Sequence, residues 1–387
     1  MIQLEELYDE MVQLRRDFHE KPELSFFEKE TPAFIAGYLR HLGLEVRTGV
    51  GGNGVVAKIT GRKQGKTVAL RADFDALPIQ DEKEVSYKSK VPGVMHACGH
   101  DAHTAMLLCV AKVLVDMKEE LCGTIVLIHQ FAEEQAPGGA KPMIEAGCLD
   151  GVDAIFGLHF WSMIPYGKVG WRNGPIMAAA DRFNLTINGK GGHGAAPHET
   201  VDPIVTGTSF IQQLQHIVSR SIDPLKSAVV TVGQFHAGNS FNVIPDKAEI
   251  EGTVRTFDPA VQSFIMARME KLAENVCESA GGSGHFVYTK GYPAVVNHEA
   301  ETKIVAASAE TVVGAENTFE MTPMMGGEDF AYYLQKIPGS FFFVGAGNEE
   351  TGAVYPHHHP KFDLDERAML IGGKILLTTA LLYLHGN

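Results

Sequence analysis

Tryptophan and cysteine are scarce in this 387-residue chain, with two of the first and five of the second. The cysteines, at 98, 109, 122, 148 and 277, are odd in number and scattered, which excludes a disulfide framework and fits a reducing compartment. A run of the ~20 apolar residues needed to cross a bilayer is missing. The most apolar stretch, 368–384, carries Lys374, two glycines and two threonines, and reads as a core-packed terminal helix. Positive charge is in deficit: 33 Lys+Arg against 47 Asp+Glu gives −14. Such a field repels polyanions, so neither nucleic acid nor an anionic membrane is an expected partner. An anionic substrate would need a local cation, either a bound metal or an arginine. Residues 1–14 lack a basic segment followed by an apolar run. Leu4, Leu7, Met11, Leu14 and Phe18 recur instead at helical spacing, so an amphipathic helix is expected rather than a signal peptide, and a cytoplasmic location with it. No internal repeat or low-complexity segment occurs, and 45% hydrophobic with 21% charged residues excludes disorder and a collagen-like chain.

Single cores stop growing near ~250–300 residues, so two domains are expected. A second helix has Thr31 as N-cap, Pro32 at its first position and Gly43 as its stop. Strand-like runs follow at 44–48, 54–60, 67–72, 123–131 and 154–158, with a long helix at 102–117. Continuously apolar strands alternating with helices predict an α/β domain, a mostly parallel sheet with helices on both faces. Near Asp181 the pattern changes. Strand 183–190, helix 203–221, strands 228–236 and 247–257, helix 260–279 and strand 285–290 spell βαββαβ, the ferredoxin-like unit. Both of its ends return to the first domain, so 181–294 reads as an insertion between 1–180 and 295–387. The remainder supplies helices at 300–313 and 328–336, a strand at 341–344 and the terminal helix.

The chemistry-bearing residues gather at strand ends. Asp73 and Asp75 follow the strand ending at Ala72, Glu133-Glu134 the one ending at Phe131, and His159 the one ending at Leu158. Ligands of open α/β sheets bind at that edge. Cys98, His100, Asp101 and His103 lie in the loop opening the long helix, and His357-His358-His359 precede the last one. Cys, His and Glu are the donors expected for zinc or a similar ion. Taken singly, Cys98 or His159 would more often be a packed core residue, and His103 a structural or supporting one. Their convergence on one sheet edge favours a metal centre. A hydrolytic centre needs one carboxylate as ligand and an unligated one as general base. Glu133 and Glu134 can divide those roles, and spacing does not say how.

At this level of detail the chain resembles the aminoacylase/carboxypeptidase family of dinuclear metallohydrolases, and within it the hippurate hydrolase and auxin-conjugate amidohydrolase branch, which also holds N-acyl-amino-acid deacetylases. The resemblance runs from Asp17-Phe18-His19-Glu20-Lys21-Pro22-Glu23-Leu24-Ser25 through Arg71-Ala72-Asp73-Phe74-Asp75 and Met95-His96-Ala97-Cys98-Gly99-His100-Asp101. It continues through Gly191-Gly192-His193-Gly194, Asn242-Val243-Ile244-Pro245 and Gly252-Thr253-Val254-Arg255 to Gly326-Gly327-Glu328-Asp329-Phe330 and His358-His359-Pro360. It implies two divalent ions per subunit (zinc or manganese, with cobalt or nickel suited too), ligands Cys98, His100, Glu134, His159 and His358, and Glu133 as base. His359 is the reserve for His358. It further implies His193 as oxyanion donor, commonly in the partner subunit's site of a homodimer, and substrate contacts from Asn242, Arg255, Gly326 and Gly327. Asp75 would orient a ligand, and the insertion would act as a lid or dimerisation domain. The implied reaction cleaves an N-acyl amino acid to a carboxylate and a free amino acid. A dipeptidase or carboxypeptidase, a dedicated N-acetyldiaminopimelate or N-acetylcysteine deacetylase, and a non-catalytic metal- or peptide-binding module are the competing readings.

Overall fold

The computed structural model describes residues 2–385. The N-terminal pattern forms two helices, not one: α1 (Ile2–Glu6) and α2 (Tyr8–Glu20) are separated at Leu7, which leaves helical geometry. Helix α3 (Glu30–His41) starts ahead of Thr31. Its cap comes from outside: the Glu23 carboxylate accepts the N–H groups of Lys29 (2.9 Å), Glu30 (3.1 Å) and Thr31 (2.8 Å). A carboxylate there satisfies otherwise unpaired donors and suits the positive helix end.

The chain then builds β1 (Glu45–Val50), β2 (Gly54–Thr60), β3 (Lys63–Asp73), α4 (His100–Asp116), β4 (Cys122–Gln130), α5 (Ala140–Glu145), β5 (Ala154–Pro165), β6 (Val169–Trp171) and β7 (Gly174–Met177). A second compact unit follows, with β8 (Ala179–Asn188), β9 (Gly192–His193), α6 (Pro203–His216), β10 (Ala228–Ala237), β11 (Val243–Ile244), β12 (Lys247–Thr256), α7 (Pro259–Ser279) and β13 (Ser283–Tyr292). The return supplies β14 (Val295–Asn297), α8 (Glu299–Val313), β15 (Thr318–Glu320), α9 (Ala331–Leu334), β16 (Gly339–Gly347) and α10 (Arg367–His385).

The first unit holds an eight-stranded sheet in the order β1-β2-β4-β3-β5-β16-β6-β15. Its inner strands β4, β3, β5 and β16 are parallel. Antiparallel pairing enters at the flanks, where β2 meets β1 and β4, and β6 meets β16. The inner strands are buried almost continuously, as β4 from Ile125 to Gln130 shows, which is why they read as apolar runs without alternation. Helices α4 and α10 pack on β3 and β5. Helix α10 is long and apolar enough to span a bilayer, yet Met369, Ile375, Leu376, Leu377 and Ala380 are buried in this packing.

In the second unit β10-β12-β8-β13 form an antiparallel sheet, the ferredoxin-like order for β8-α6-β10-β12-α7-β13. Here the strands alternate. Phe183, Leu185 and Ile187 of β8 face Phe210 and Leu214 of α6 and Ile265 and Met269 of α7. Both helices open with Asp-Pro: the Asp202 carboxylate accepts from Ile204 and Val205, and Asp258 accepts from Ala260, the arrangement expected of an N-cap followed by proline. The unit begins at Met177 rather than near 181 and also takes in Met324–Glu328. The reason is local: the Ala178 N–H is shared between the carbonyls of Met324 (3.1 Å) and Gly326 (2.9 Å).

Candidate metal centre

In the first unit, three inner strands and one helix end supply the centre. The β3–β5 ladder closes at Arg71 opposite Gly157, after which β3 delivers Asp73 and the chain turns to Asp75. Strand β5 runs on to Pro165, so His159 lies inside it rather than after it. Helix α4 starts at His100, two residues earlier than its pattern suggests, because Gly99 at the N-cap adopts φ 91°. Only glycine takes that conformation without strain, and it places Cys98 and His100 on either side of a tight turn. After β4 the chain bends at Ala132, whose φ of 51° is unusual for a residue with a side chain. That bend is held by the Ala132 N–H on Glu28 Oε1 (2.9 Å) and the Gly139 N–H on the Ala132 carbonyl (3.0 Å). Any Cβ at Gly139 would fall 1.9 Å from the Phe131 carbonyl oxygen.

Two donor groups result, and Cys98 belongs to both. Cys98, His100 and Glu134 offer atoms within 4.8 Å of one another, and so do Cys98, His159 and His357. The His100 Nδ1–H donates to the Asp75 carbonyl and to Asp75 Oδ1, both at 3.1 Å, which turns Nε2 toward Glu133 and Glu134. Asp75 Oδ2 accepts from the Glu134 N–H (2.9 Å) and the Ser25 hydroxyl (2.7 Å), so one carboxylate aims two donors. The His159 Nδ1–H donates to the Phe160 carbonyl (2.7 Å), and its Nε2 stands 3.4 Å from Cys98 Sγ. His358, with φ 65°, donates its N–H to the Ala97 carbonyl and brings Nε2 to 3.4 Å from Glu134 Oε2. His359 turns away: it stacks on Tyr355 and accepts from the Lys361 N–H. Glu133 Oε2 lies 3.9 Å from His100 Nε2.

The electrostatics call for cations. Burial opposes charge on His100, but Asp73, Asp75 and Glu134 prevail and lift it to about 10. Burial, then Glu134 and Glu133, push the Cys98 thiol well up. Burial, reinforced by His103, His357 and His100, keeps His159 neutral. Among the described residues His100 Nε2 and Glu134 Oε1 are buried without a hydrogen-bond partner, an arrangement that costs free energy unless something occupies it. One thiol, imidazoles and carboxylates around these orphaned atoms fit a pair of divalent ions, which would take the place of the proton on His100.

Sequence reasoning passed over three contributors. His357 reaches the Cys98–His159 group, yet in a run of three histidines only the backbone conformation at His358 tells the neighbours apart. Arg71 and Asp329 were quoted without a role. Arg71 bonds Asp73 (2.6 Å), Gln130 (2.9 Å) and Asp329 (3.0 Å), and Asp329 accepts the Ala140 N–H.

The remaining expected residues belong to the second unit. His193 pairs with Val243 across β9 and β11, is exposed, and accepts the Ala195 N–H at Nδ1 (3.0 Å), which leaves Nε2–H as a donor. Asn242 accepts the Gly194 N–H at its carbonyl (2.8 Å). Arg255 is half-buried on β12 without an ion pair among the described residues, so it is not the acid-paired surface arginine it could have been. Gly327 has no room for a side chain, since a Cβ would lie 2.8 Å from the Ala180 Cβ and 3.5 Å from Arg255 Nη1. Gly326 faces Met177, whose methyl would lie 3.2 Å from an added Cβ.

Comparison with known proteins agrees with this architecture. YhaA of Bacillus subtilis, provisionally assigned as an amidohydrolase, is 55% identical over 98% of the chain and 96% of its own length. Thermostable carboxypeptidase 2 of Saccharolobus solfataricus is 46% identical over 95% and 94%. The crystal structure of the Bacillus subtilis YXEP protein, described as a dinuclear metal-binding peptidase of the M20 family, superposes with TM-score 0.85 at 38% identity, covering 99% of this chain and all of that one. Residues 69–382 match the model of peptidase family M20/M25/M40, and the chain belongs to that family of metal-dependent hydrolases.

Proposed function

We propose that the protein is an amidohydrolase that removes the acyl group, acetyl, benzoyl or similar, from N-acyl amino acids, using two divalent ions of the zinc or manganese type. The observation that carries this reading is the shared position of Cys98 in two donor groups, with a second carboxylate, Glu133, beside them. Cys98, His100, Glu134, His159 and His358 would hold the ions. Bound divalent ions supply Lewis acidity, lowering the pKa of water and polarising a carbonyl. Glu133 accepts a proton from the attacking water and returns it to the departing amine. The amide carbon gains the hydroxyl and loses the nitrogen, giving a carboxylate and a free amino acid. His193 donates its Nε2–H to the oxyanion, in the partner subunit's site of a homodimer, and Arg255 receives the substrate carboxylate, for which a guanidinium is the matching group.

Carboxypeptidase action is the second reading, favoured by the name of a 46% identical relative. Both substrates carry a free carboxylate, so Arg255 serves either. Measuring kcat/KM of the metal-reconstituted protein on N-acyl amino acids and on dipeptides separates them. We expect the N-acyl amino acids to lead by at least about tenfold, roughly 1.4 kcal/mol of transition-state discrimination. Dipeptides leading would transfer the conclusion to the peptidase reading.

A further inference from the structure

His103 lies one helical turn after His100 and has both ring nitrogens engaged. Its Nε2 accepts the Phe160 N–H (3.1 Å), so the neutral ring carries its proton on Nδ1 and donates it to Asp73 Oδ1 (2.6 Å). No lone pair is left for a metal, unlike His100, whose Nε2 has no hydrogen-bond partner among the described residues, and His159, whose Nε2 meets only the Cys98 thiol. The Phe160 N–H lies past the end of the β3–β5 ladder, which closes at Gly157, so His103 supplies the acceptor that strand β3 no longer provides. The same residue anchors the neighbouring ligand through its other backbone group: the Phe160 carbonyl accepts from His159 Nδ1 (2.7 Å) and His357 Nε2 (3.0 Å). The His103 and His159 rings also meet edge to face, 4.6 Å between centroids. Asp73 is fixed in turn by Arg71, 2.6 Å from its other oxygen.

We propose that His103 is a positioning residue: by holding the backbone N–H of Phe160, whose carbonyl fixes the His159 ring, it sets the direction in which His159 presents Nε2 to the ion shared with Cys98. This rests on the reading that Cys98 and His159 hold a divalent ion. Three variants separate the contacts. His103→Gln keeps an acceptor at the reach of Nε2 for the Phe160 N–H. His103→Asn keeps only a donor at the reach of Nδ1 for Asp73, and His103→Leu keeps neither. Cobalt(II) titration of the metal-free proteins, followed by the thiolate-to-cobalt absorption band, reads affinity and geometry without turnover, and thermal unfolding of the metal-free forms reads stability.

His103→Gln is expected to bind cobalt within about threefold of wild type, while His103→Asn and His103→Leu weaken it about 10- to 100-fold and displace the band, the range seen when supporting partners of metal ligands are lost. Should His103→Leu fail to fold, the Gln–Asn pair carries the comparison alone. Wild-type affinity in His103→Asn, or rescue by Asn and not by Gln, would overturn the inference while leaving the metal centre intact. Lowered unfolding temperatures with unchanged cobalt binding would do the same. A wild-type protein without a thiolate band would overturn both the inference and the reading beneath it.

Discussion

Glu133 and Glu134 are chain neighbours with different surroundings. The Glu134 N–H is held by Asp75, and its carboxylate lies between His100 (3.8 Å) and His358 (3.4 Å). Their shared position after β4 was legible in the sequence; their division of labour was not, because it depends on the left-handed bend at Ala132 and on Glu28, more than a hundred residues earlier. Donor types were legible for the same reason that they work: a cysteine and a histidine flanking a glycine have few structural uses together. Replacing Cys98 by serine exchanges an ionisable thiol for a poor ligand, so divalent-metal affinity should drop more than about tenfold, since losing even a supporting partner costs that much. Stoichiometry after dialysis checks it; full occupancy would remove Cys98 from the ligand set. Arg255→Ala should lower kcat/KM about 10- to 100-fold for N-acyl amino acids, the worth of a charge-assisted hydrogen bond, and far less for their carboxamides. Equal losses on both substrates would make Arg255 structural.

Elements were legible where their patterns are long. The inner strands β3, β4 and β16 and helices α4, α7 and α10 stand within a few residues of where periodicity puts them, while β5 runs seven residues beyond its expected end at Leu158. The two-residue strands β9 and β11, which pair His193 with Val243, carry no periodic signal and exist only through that pairing. The start of α3 was misplaced because its cap is a side chain seven residues away, outside any local capping pattern. Glu23→Ala removes the acceptor of three N–H groups, and urea unfolding should show a loss of about 1–2 kcal/mol, as for other lost caps. Glu23→Gln should recover part of it, having one carbonyl oxygen in place of two. An unchanged midpoint in the alanine variant would mean that water replaces the cap at no cost.

The whole molecule carries −14, so an anionic substrate is drawn in only where cations gather locally. Its fold also hides neutral histidines, and these set its tolerance of acid. Burial holds His129 of β4 down to about 3, with Thr104 Oγ1 3.0 Å from its Nδ1. Above pH ~6.5 the ring is neutral both folded and unfolded. Below that value the unfolded chain takes up a proton that the native state refuses, so stability is lost as pH falls toward about 3. One such group costs at most about 1.4 kcal/mol per pH unit. His129→Gln should therefore flatten the fall in unfolding temperature between pH 6.5 and 4, and an unaltered slope would show that His129 is reached by solvent protons in the native state. The central claim is that Glu133 works beside ions that other residues hold. Its most direct test is metal content and turnover measured together on reconstituted Glu133→Gln. Ion occupancy equal to wild type with kcat reduced about 100- to 10,000-fold is the predicted result; near-normal kcat at full occupancy, or ions lost along with activity, would contradict it.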